Sequence, residues 1–300
     1  MSRQWAQLPE RGTAAALGLI YWISVHLGRW AGRLLLYPIA FYFLLTAAAV
    51  RKASRLYLQQ VLERRPGYRD VFRHIHCFAA TILDRVYLLA GQFERFDICI
   101  HNGQLVLDQV GSGQGCILLG SHLGSFEVLR ALGVTHRHFP LKILMNIDHN
   151  QTITRFINIL NPEIAATIIP IRGPETLLKV KESLEQGYLI GTLGDRVVAS
   201  DKTIRCRFLG RQTCFPAGPM LLASLMKCPV ILVFALYQGG NRYDVHFEHL
   251  TDVITTLDHR RHPEEIQYWT QRYVDRLEYY VRRAPYNWFN FYDYWQEDQA

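Results

Sequence analysis

Charge is scarce in this chain, and so are the short signatures that commonly announce a function. Only 20% of its 300 residues are Asp, Glu, Lys or Arg, against 49% hydrophobic and 12% aromatic. That balance excludes a disordered chain and points to a packed or membrane-associated protein with enough apolar mass for a sizeable core. The six cysteines (77, 99, 116, 206, 214 and 228) include no C-x-x-C pair and show no zinc-finger spacing. At least three lie in apolar runs, so buried, reduced thiols in a cytosolic setting are expected, with no metal site. There is no Walker-type phosphate loop. Gly111, Gly113 and Gly115 precede an apolar run instead of opening a helix, which weakens a dinucleotide-binding reading. GSHLG around Ser121 is not the G-x-S-x-G nucleophile elbow. No internal repeat or low-complexity segment is present. No small-residue cleavage site precedes a polar start, so a removable signal peptide is not expected.

What is present begins with a net charge of +7, which calls for an anionic partner. Nucleic acid fits poorly without a basic heptad region or zinc-finger pattern; anionic lipid or an acidic carrier protein fits better. Two runs near the N-terminus carry no Asp, Glu, Lys or Arg, 13–28 and 34–50, separated by Arg29 and Arg33 and followed by Arg51, Lys52 and Arg55. Each is slightly short for a span of about 20 residues. They read either as buried core helices or as an anchor, spanning or lying in the interface. In the anchor reading arginines sit at the headgroups, and Trp5, Trp22 and Trp30 act as aromatic anchors. The anchor is the favoured expectation, with a membrane-associated helical segment over 1–55 and a single α/β domain over 56–300.

Residues 51–95 carry helical periodicity. Beyond about residue 97 short apolar or β-branched runs take over, at 115–121, 142–147, 166–171, 187–194 and 229–237, with an alternating run at 243–250. Helix-like stretches at 123–133, 151–160, 174–186 and 217–227 lie between them. Strand alternating with helix predicts an α/β domain with a mixed, largely parallel sheet covered by helices. A long amphipathic stretch from Pro263 and the aromatic run PYNWFNFYDYW (285–295) close the chain.

Two histidines have an acid five places on, His122/Glu127 and His259/Glu264, about what chance supplies for twelve histidines and 26 acidic residues. Their surroundings separate them. His259 and Glu264 lie in DHRRHPEE, read as a solvated helix start whose acids favour the helix dipole. His122 ends a buried-type strand, where α/β domains bind ligands, and Gly124 permits a tight turn into the next helix. A loop histidine and a first-turn glutamate can converge. Glu127 is then expected to accept a hydrogen bond from Nδ1 and leave Nε2 as a base. A purely structural pair is the competing reading.

The ordered stretches SHLGSFE (121–127), IIPIRG (168–173), EQGYLIGTLGDR (185–196) and RFLGRQTCFPAGPMLLASLMKCPVI (207–231) resemble the lysophospholipid acyltransferase superfamily. The likeness is to the bacterial branch similar to late acyltransferases of lipid A biosynthesis, and it covers about 115–240. SHLGSFE matches the family's H-x4-D/E motif, and Asp195 takes the position of an acidic residue that the family places after a strand. The chain departs from the pattern in two places. Phe215-Pro216-Ala217-Gly218-Pro219 stands where glycerolipid enzymes carry FPEGTR, and Gly194-Asp195-Arg196 where lipid A enzymes read D-Q-D.

The resemblance implies direct transfer of a fatty acyl chain from a thioester donor, acyl carrier protein or acyl-CoA, to a hydroxyl of a lipid or glycolipid acceptor. It implies His122 as general base with Glu127, no acyl-enzyme, and no cofactor besides the donor. Backbone N–H groups near Gly218, or Arg196, are candidates for oxyanion stabilisation, and Asp195 belongs to the substrate site. Arg172 is a candidate head-group contact. Lys202, Arg205, Arg207 and Arg211 form a basic stretch suited to an acidic carrier protein or an acceptor phosphate. The implied location is the cytoplasmic face of the bacterial inner membrane. A thioesterase or lipid hydrolase using the same pair, and a non-catalytic lipid-binding protein, are the alternatives.

Overall fold

The computed structural model describes residues 14–130, 140–146, 161–197, 202–255 and 263–295, with side chains from residue 28 onward and excluding those of residues 130 and 263. Three helices lead: α1 (Ala14–Thr46), α2 (Ala48–Leu62) and α3 (Tyr68–Leu89). There follow β1 (Asp97–His101), α4 (Gln104–Gly111), β2 (Cys116–Gly120), a short 3-10 helix (Phe126–Arg130) and β3 (Leu141–Met145). Next come α5 (Pro162–Ala166), β4 (Ile168–Pro170), α6 (Pro174–Glu185), β5 (Leu189–Leu193) and the hairpin β6 (Thr203–Phe208) and β7 (Arg211–Pro216). The chain finishes with α7 (Gly218–Met226), β8 (Val230–Gly239), β9 (Arg242–Thr251) and α8 (Pro263–Arg283). The expected helix over 151–160, His259, Trp5 and the side chain of Trp22 lie outside the described residues.

Seven strands form one sheet in the order β1-β9-β8-β2-β5-β3-β4. Every neighbouring pair is parallel except β8–β9, a tight hairpin, so the sheet is mixed and mostly parallel as expected. β6 and β7 pair separately as an antiparallel ribbon. All five residues of β2 are buried, because a central parallel strand is covered on both faces. Its side chains divide between two cores by alternation: Ile117 and Leu119 join α7, α8 and the aromatic C-terminal segment, while Cys116 and Leu118 join α3 and the inward face of β9. α8 carries Glu264 and Glu265 in its first turn and Arg282 and Arg283 in its last, both favourable to the helix dipole.

α1 is broken at Gly28, whose φ of 82° only glycine adopts cheaply. A second break at Ala47 turns the chain by 95° into α2. Arg51 bonds the carbonyls of Leu44 and Leu45, both at 2.7 Å, and so satisfies acceptors that the end of α1 leaves open. Arg29 and Arg33 do not reach outward as headgroup arginines. Arg29 makes a bidentate pair with fully buried Asp84 of α3 at 2.8 and 2.9 Å, and Arg33 bonds the Tyr237 hydroxyl. A buried carboxylate demands such partners. No single helix among the described residues is long and apolar enough to cross a membrane; the bent pair Gly28–Thr46 and Ala48–Leu62 together meets that length and composition.

Candidate active site

The site follows from the register of two adjacent parallel strands. Gly120, the last residue of β2, sits opposite Leu193, the last of β5. Continuing that register by two residues brings His122 beside Asp195, and the Gly194 N–H still donates to the Gly120 carbonyl at 3.0 Å. The Asp195 carboxylate then takes both donors of His122. Oδ1 lies 2.7 Å from Nδ1, and Oδ2 accepts the backbone N–H at 3.0 Å.

Asp195 is fully buried, so it must find other partners, and the C-terminal aromatic segment supplies them. The Trp288 indole Nε1 donates to Oδ2 at 2.9 Å and the Asn290 amide at 3.0 Å, while the Tyr294 hydroxyl donates to the Asp195 carbonyl at 2.8 Å. Burial pushes the Asp195 carboxyl up, but the His122 imidazole, the Arg196 charge and the donated hydrogen bonds outweigh it and hold it at about 2. It is therefore an anion at neutral pH. An anion at Oδ1 fixes the proton of a neutral His122 on Nδ1 and leaves the Nε2 lone pair outward. Burial and the positive charge of Arg196 lower the His122 pKa, against the pull of Asp195, which keeps the ring neutral and basic. Its side chain is 27% exposed, so a reactant can reach it. Nε2 makes no hydrogen bond with another described residue.

The loop after His122 is held as tightly as the ring. Phe289 N–H donates to the His122 carbonyl at 2.8 Å, Gly124 N–H to Asn287 at 2.9 Å, and Ser125 N–H to Ala235 at 3.0 Å. The loop is thus threaded between β8 and the C-terminal segment. Gly124 has φ 71°, and a Cβ there would lie 1.8 Å from the Ala235 oxygen, so no other residue fits. Behind Trp288, the buried His74 ring bonds the Trp288 carbonyl through Nε2 at 2.9 Å and the Ser54 hydroxyl through Nδ1 at 2.8 Å. Burial drives its pKa down to about 4, so it is neutral. Helices α2 and α3 thereby brace the strand-end pair.

The expected Nδ1 partner is corrected. Glu127 is engaged elsewhere: its Oε1 lies 2.9 Å from Arg85 Nε, an ion-pair contact at which the N–H points aside, and its Oε2 accepts from Ser125 at 3.2 Å. The 3-10 helix that carries Glu127 packs Phe126 against the strand glycines Gly120 and Gly191, which aims the carboxylate at α3. Asp195, adjacent in the sheet, takes Nδ1 instead. Arg196 is half-buried, with Nε on Asn290 at 2.8 Å and Nη2 on the Phe289 carbonyl at 2.9 Å, so its bonds secure the segment that holds Asp195. Gly218 is exposed and opens α7, which returns to the start of β8, so its turn lies toward the carboxyl edge of the sheet. Arg172 is exposed just past β4, at that same edge but three strands from β2, about 14 Å sideways. Arg207 is exposed on β6, its backbone paired with the Gln271 side chain of α8, and the structure brings it into no contact with the dyad. Sequence reasoning missed Arg85, His74, Trp288 and Asn290. The two asparagines inside an aromatic run were the available signal, since polar side chains among buried rings need a polar partner.

The family model described as bacterial lipid A biosynthesis acyltransferase matches residues 92–297, more than half of the chain. Among solved structures, the chain is similar to the 1-acyl-sn-glycerophosphate (LPA) acyltransferase PlsC from Thermotoga maritima. Identity is 14% and the TM-score 0.37, with 82% of this chain and 97% of that one covered. No curated protein matches the chain in sequence. With His122, Asp195 and the C-terminal segment all inside the matched residues, the chain belongs to the bacterial lipid A biosynthesis acyltransferase family.

Proposed function

We propose that the protein is an O-acyltransferase that moves a fatty acyl chain from a thioester donor to a hydroxyl of a lipid or glycolipid acceptor, with His122 as general base and Asp195 as its orienting anion. The observation that carries this is the 2.7 Å contact between His122 Nδ1 and an ionised, fourfold hydrogen-bonded carboxylate, with Nε2 left open. The acceptor hydroxyl gives its proton to Nε2 as its oxygen bonds to the thioester carbonyl. The tetrahedral oxyanion collapses, the carbon–sulfur bond breaks, and the imidazolium returns the proton to the leaving thiolate. Asp195 stabilises the imidazolium between these steps. Glu127 and Arg85 form a charged wall beside the loop, and backbone N–H groups at the start of α7, near Gly218, serve the oxyanion. No cofactor is required beyond the donor.

Membrane association belongs to the same reading. Trp30 and Leu34, 74% and 64% exposed, continue through Tyr37, Phe41 and Leu45 at helical spacing, an apolar stripe of α1 that stays largely exposed although Tyr37 leans on the His76 ring of α3. Such a stripe suits the interface of a bilayer that holds the acceptor. All six cysteines are unpaired, in keeping with the cytoplasmic face of a bacterial inner membrane, where carrier-bound thioesters are made.

Single turnover with the purified protein, labelled acyl carrier protein or acyl-CoA in separate arms, and a membrane-lipid extract tests the proposal. A labelled lipid product, absent with a folded His122→Ala variant, supports transfer and identifies the acceptor by mass. Free fatty acid without lipid product makes the protein a hydrolase. Equal turnover by both proteins removes His122 from the chemistry.

A further inference from the structure

On the far side of the sheet from β4, strand β1 is an edge with a single neighbour, β9. Their parallel register sets Cys99 against Asp244 and His101 against His246. Ile98 and Ile100 pack into the core with Tyr243, Val245 and Phe247, so the alternate set, Cys99, His101, Asp244 and His246, lies together on the opposite face. One ligand atom each from Cys99, His101 and Asp244 falls within 4.8 Å of the others. We propose that these three residues bind one divalent transition metal of the zinc class, independently of acyl transfer.

Thiolate, imidazole and carboxylate together are the donor set of zinc and its neighbours, whereas calcium and magnesium take oxygen alone. One thiolate and one carboxylate balance the two positive charges of such an ion. Zinc–ligand bonds of about 2.0–2.3 Å in a tetrahedron set ligand atoms about 3.3–3.8 Å apart. The cluster therefore needs only a contraction of about 1 Å, within reach of side-chain rotation at an edge strand.

The supporting contacts are already in place. Gln238 donates to Asp244 Oδ2 at 2.8 Å, which fixes the carboxylate and leaves Oδ1 without a hydrogen bond from any described residue. His246 stacks flat on the His101 ring, 4.3 Å between centroids and 6° between planes, and so sets its orientation. Tyr280 of α8 backs His246 at 4.9 Å. The buried His246 Nε2 has no partner of its own, a cost that a solvent ligand on the metal would relieve. The cluster is three strands from β2, about 14 Å from the dyad. A metal here joins the open edge strand to β9, so its effect is to pin the edge. A C-x-H spacing is too short to be noticed in sequence, and Asp244 is 145 residues from Cys99.

The test uses the full-length protein, treated with chelator and titrated with cobalt(II). The expected result is one equivalent bound, with four-coordinate visible bands and a near-ultraviolet thiolate-to-cobalt charge-transfer band, both bleached by zinc. Cys99 is the only exposed cysteine, so that band reports this site. Cys99→Ser removes the band, and His101→Ala weakens cobalt binding at least about tenfold. Stoichiometric zinc raises the Tm of the wild type and leaves that of Cys99→Ser unchanged. Cobalt bound without the charge-transfer band, or a band that survives in folded Cys99→Ser, overturns the proposal.

Discussion

Replacing Asp195 by Asn separates the two acids that could orient His122. The carboxylate accepts three hydrogen bonds at Oδ2, from the His122 N–H, Trp288 and Asn290, and one at Oδ1, from Nδ1. An Asn side chain keeps the three only by placing its oxygen at the Oδ2 position. Its NH2 then faces Nδ1 and donates to it, so the ring proton moves to Nε2 and the base is lost. The same tautomer trap in a serine protease costs about 10⁴ in kcat, and a fall of about 10³ to 10⁴ is expected here. Stability changes with pH as well. The carboxyl is held at about 2 in the folded protein against 3.8 in the unfolded chain, so it contributes about 2 kcal/mol above pH 4, lost as pH falls from about 4 to 2. The variant lacks that acid-sensitive component. Single-turnover rates for Asp195→Asn and Glu127→Gln, each checked by circular dichroism, decide the matter. The polar partners of Glu127 are Arg85 and Ser125, not His122, so a drop below about tenfold is expected for it. If Asp195→Asn keeps its rate while Glu127→Gln loses it, the orienting role passes to Glu127 and the reasoning fails.

Three further perturbations test the surroundings. Trp288→Phe keeps the ring but removes one donor from a buried anion, at a cost of about 1–3 kcal/mol in urea unfolding with a parallel loss of turnover. Gly124→Ala drives a methyl to 1.8 Å from the Ala235 oxygen at φ 71°, and should lower stability by more than about 3 kcal/mol or abolish soluble expression. His74 is buried and neutral with its pKa near 4, so the folded state takes up its proton later than the unfolded chain. Stability should fall by about 3 kcal/mol as pH drops from 6.5 to 4, a slope that His74→Gln removes in pH-dependent thermal melts.

The alternation of apolar runs with helical stretches was enough to read the sheet class, because a parallel sheet must bury both faces and announces itself as uninterrupted hydrophobic runs. GCILLGS becomes β2 and PVILVFALY becomes β8 for that reason. The strand-end position of His122 was legible in the same way. Its partner was not. Local spacing favoured Glu127, five residues away, whereas the contact that forms depends on which strand lies beside β2 and at what register. Asp195 is 73 residues distant, and only the pairing of Gly120 with Leu193 brings it alongside. The hairpin of β8 and β9 was equally hidden: it reverses the last two strands of the edge, and nothing in their hydrophobic pattern sets direction.

The N-terminal helices show why one segment supported two readings. A helix of low charge at a terminus can be core or anchor, and α1 divides these by face. Arg29 and Arg33 turn inward to Asp84, and Leu36, Ala40 and Leu44 are buried, while Trp30, Leu34, Tyr37, Phe41 and Leu45 look outward. The arginines whose placement between two apolar runs suits headgroups are the ones that fasten the helix to the domain, because Asp84 is buried and requires them. If the outward stripe rests on lipid, changing Leu34 and Phe41 to Glu should abolish co-sedimentation with anionic phospholipid vesicles. Activity on a detergent-dispersed acceptor should stay within about threefold, since neither side chain contributes to the core. Binding that survives both substitutions would place the membrane contact elsewhere, whereas loss of the fold would show that the stripe is part of the domain after all.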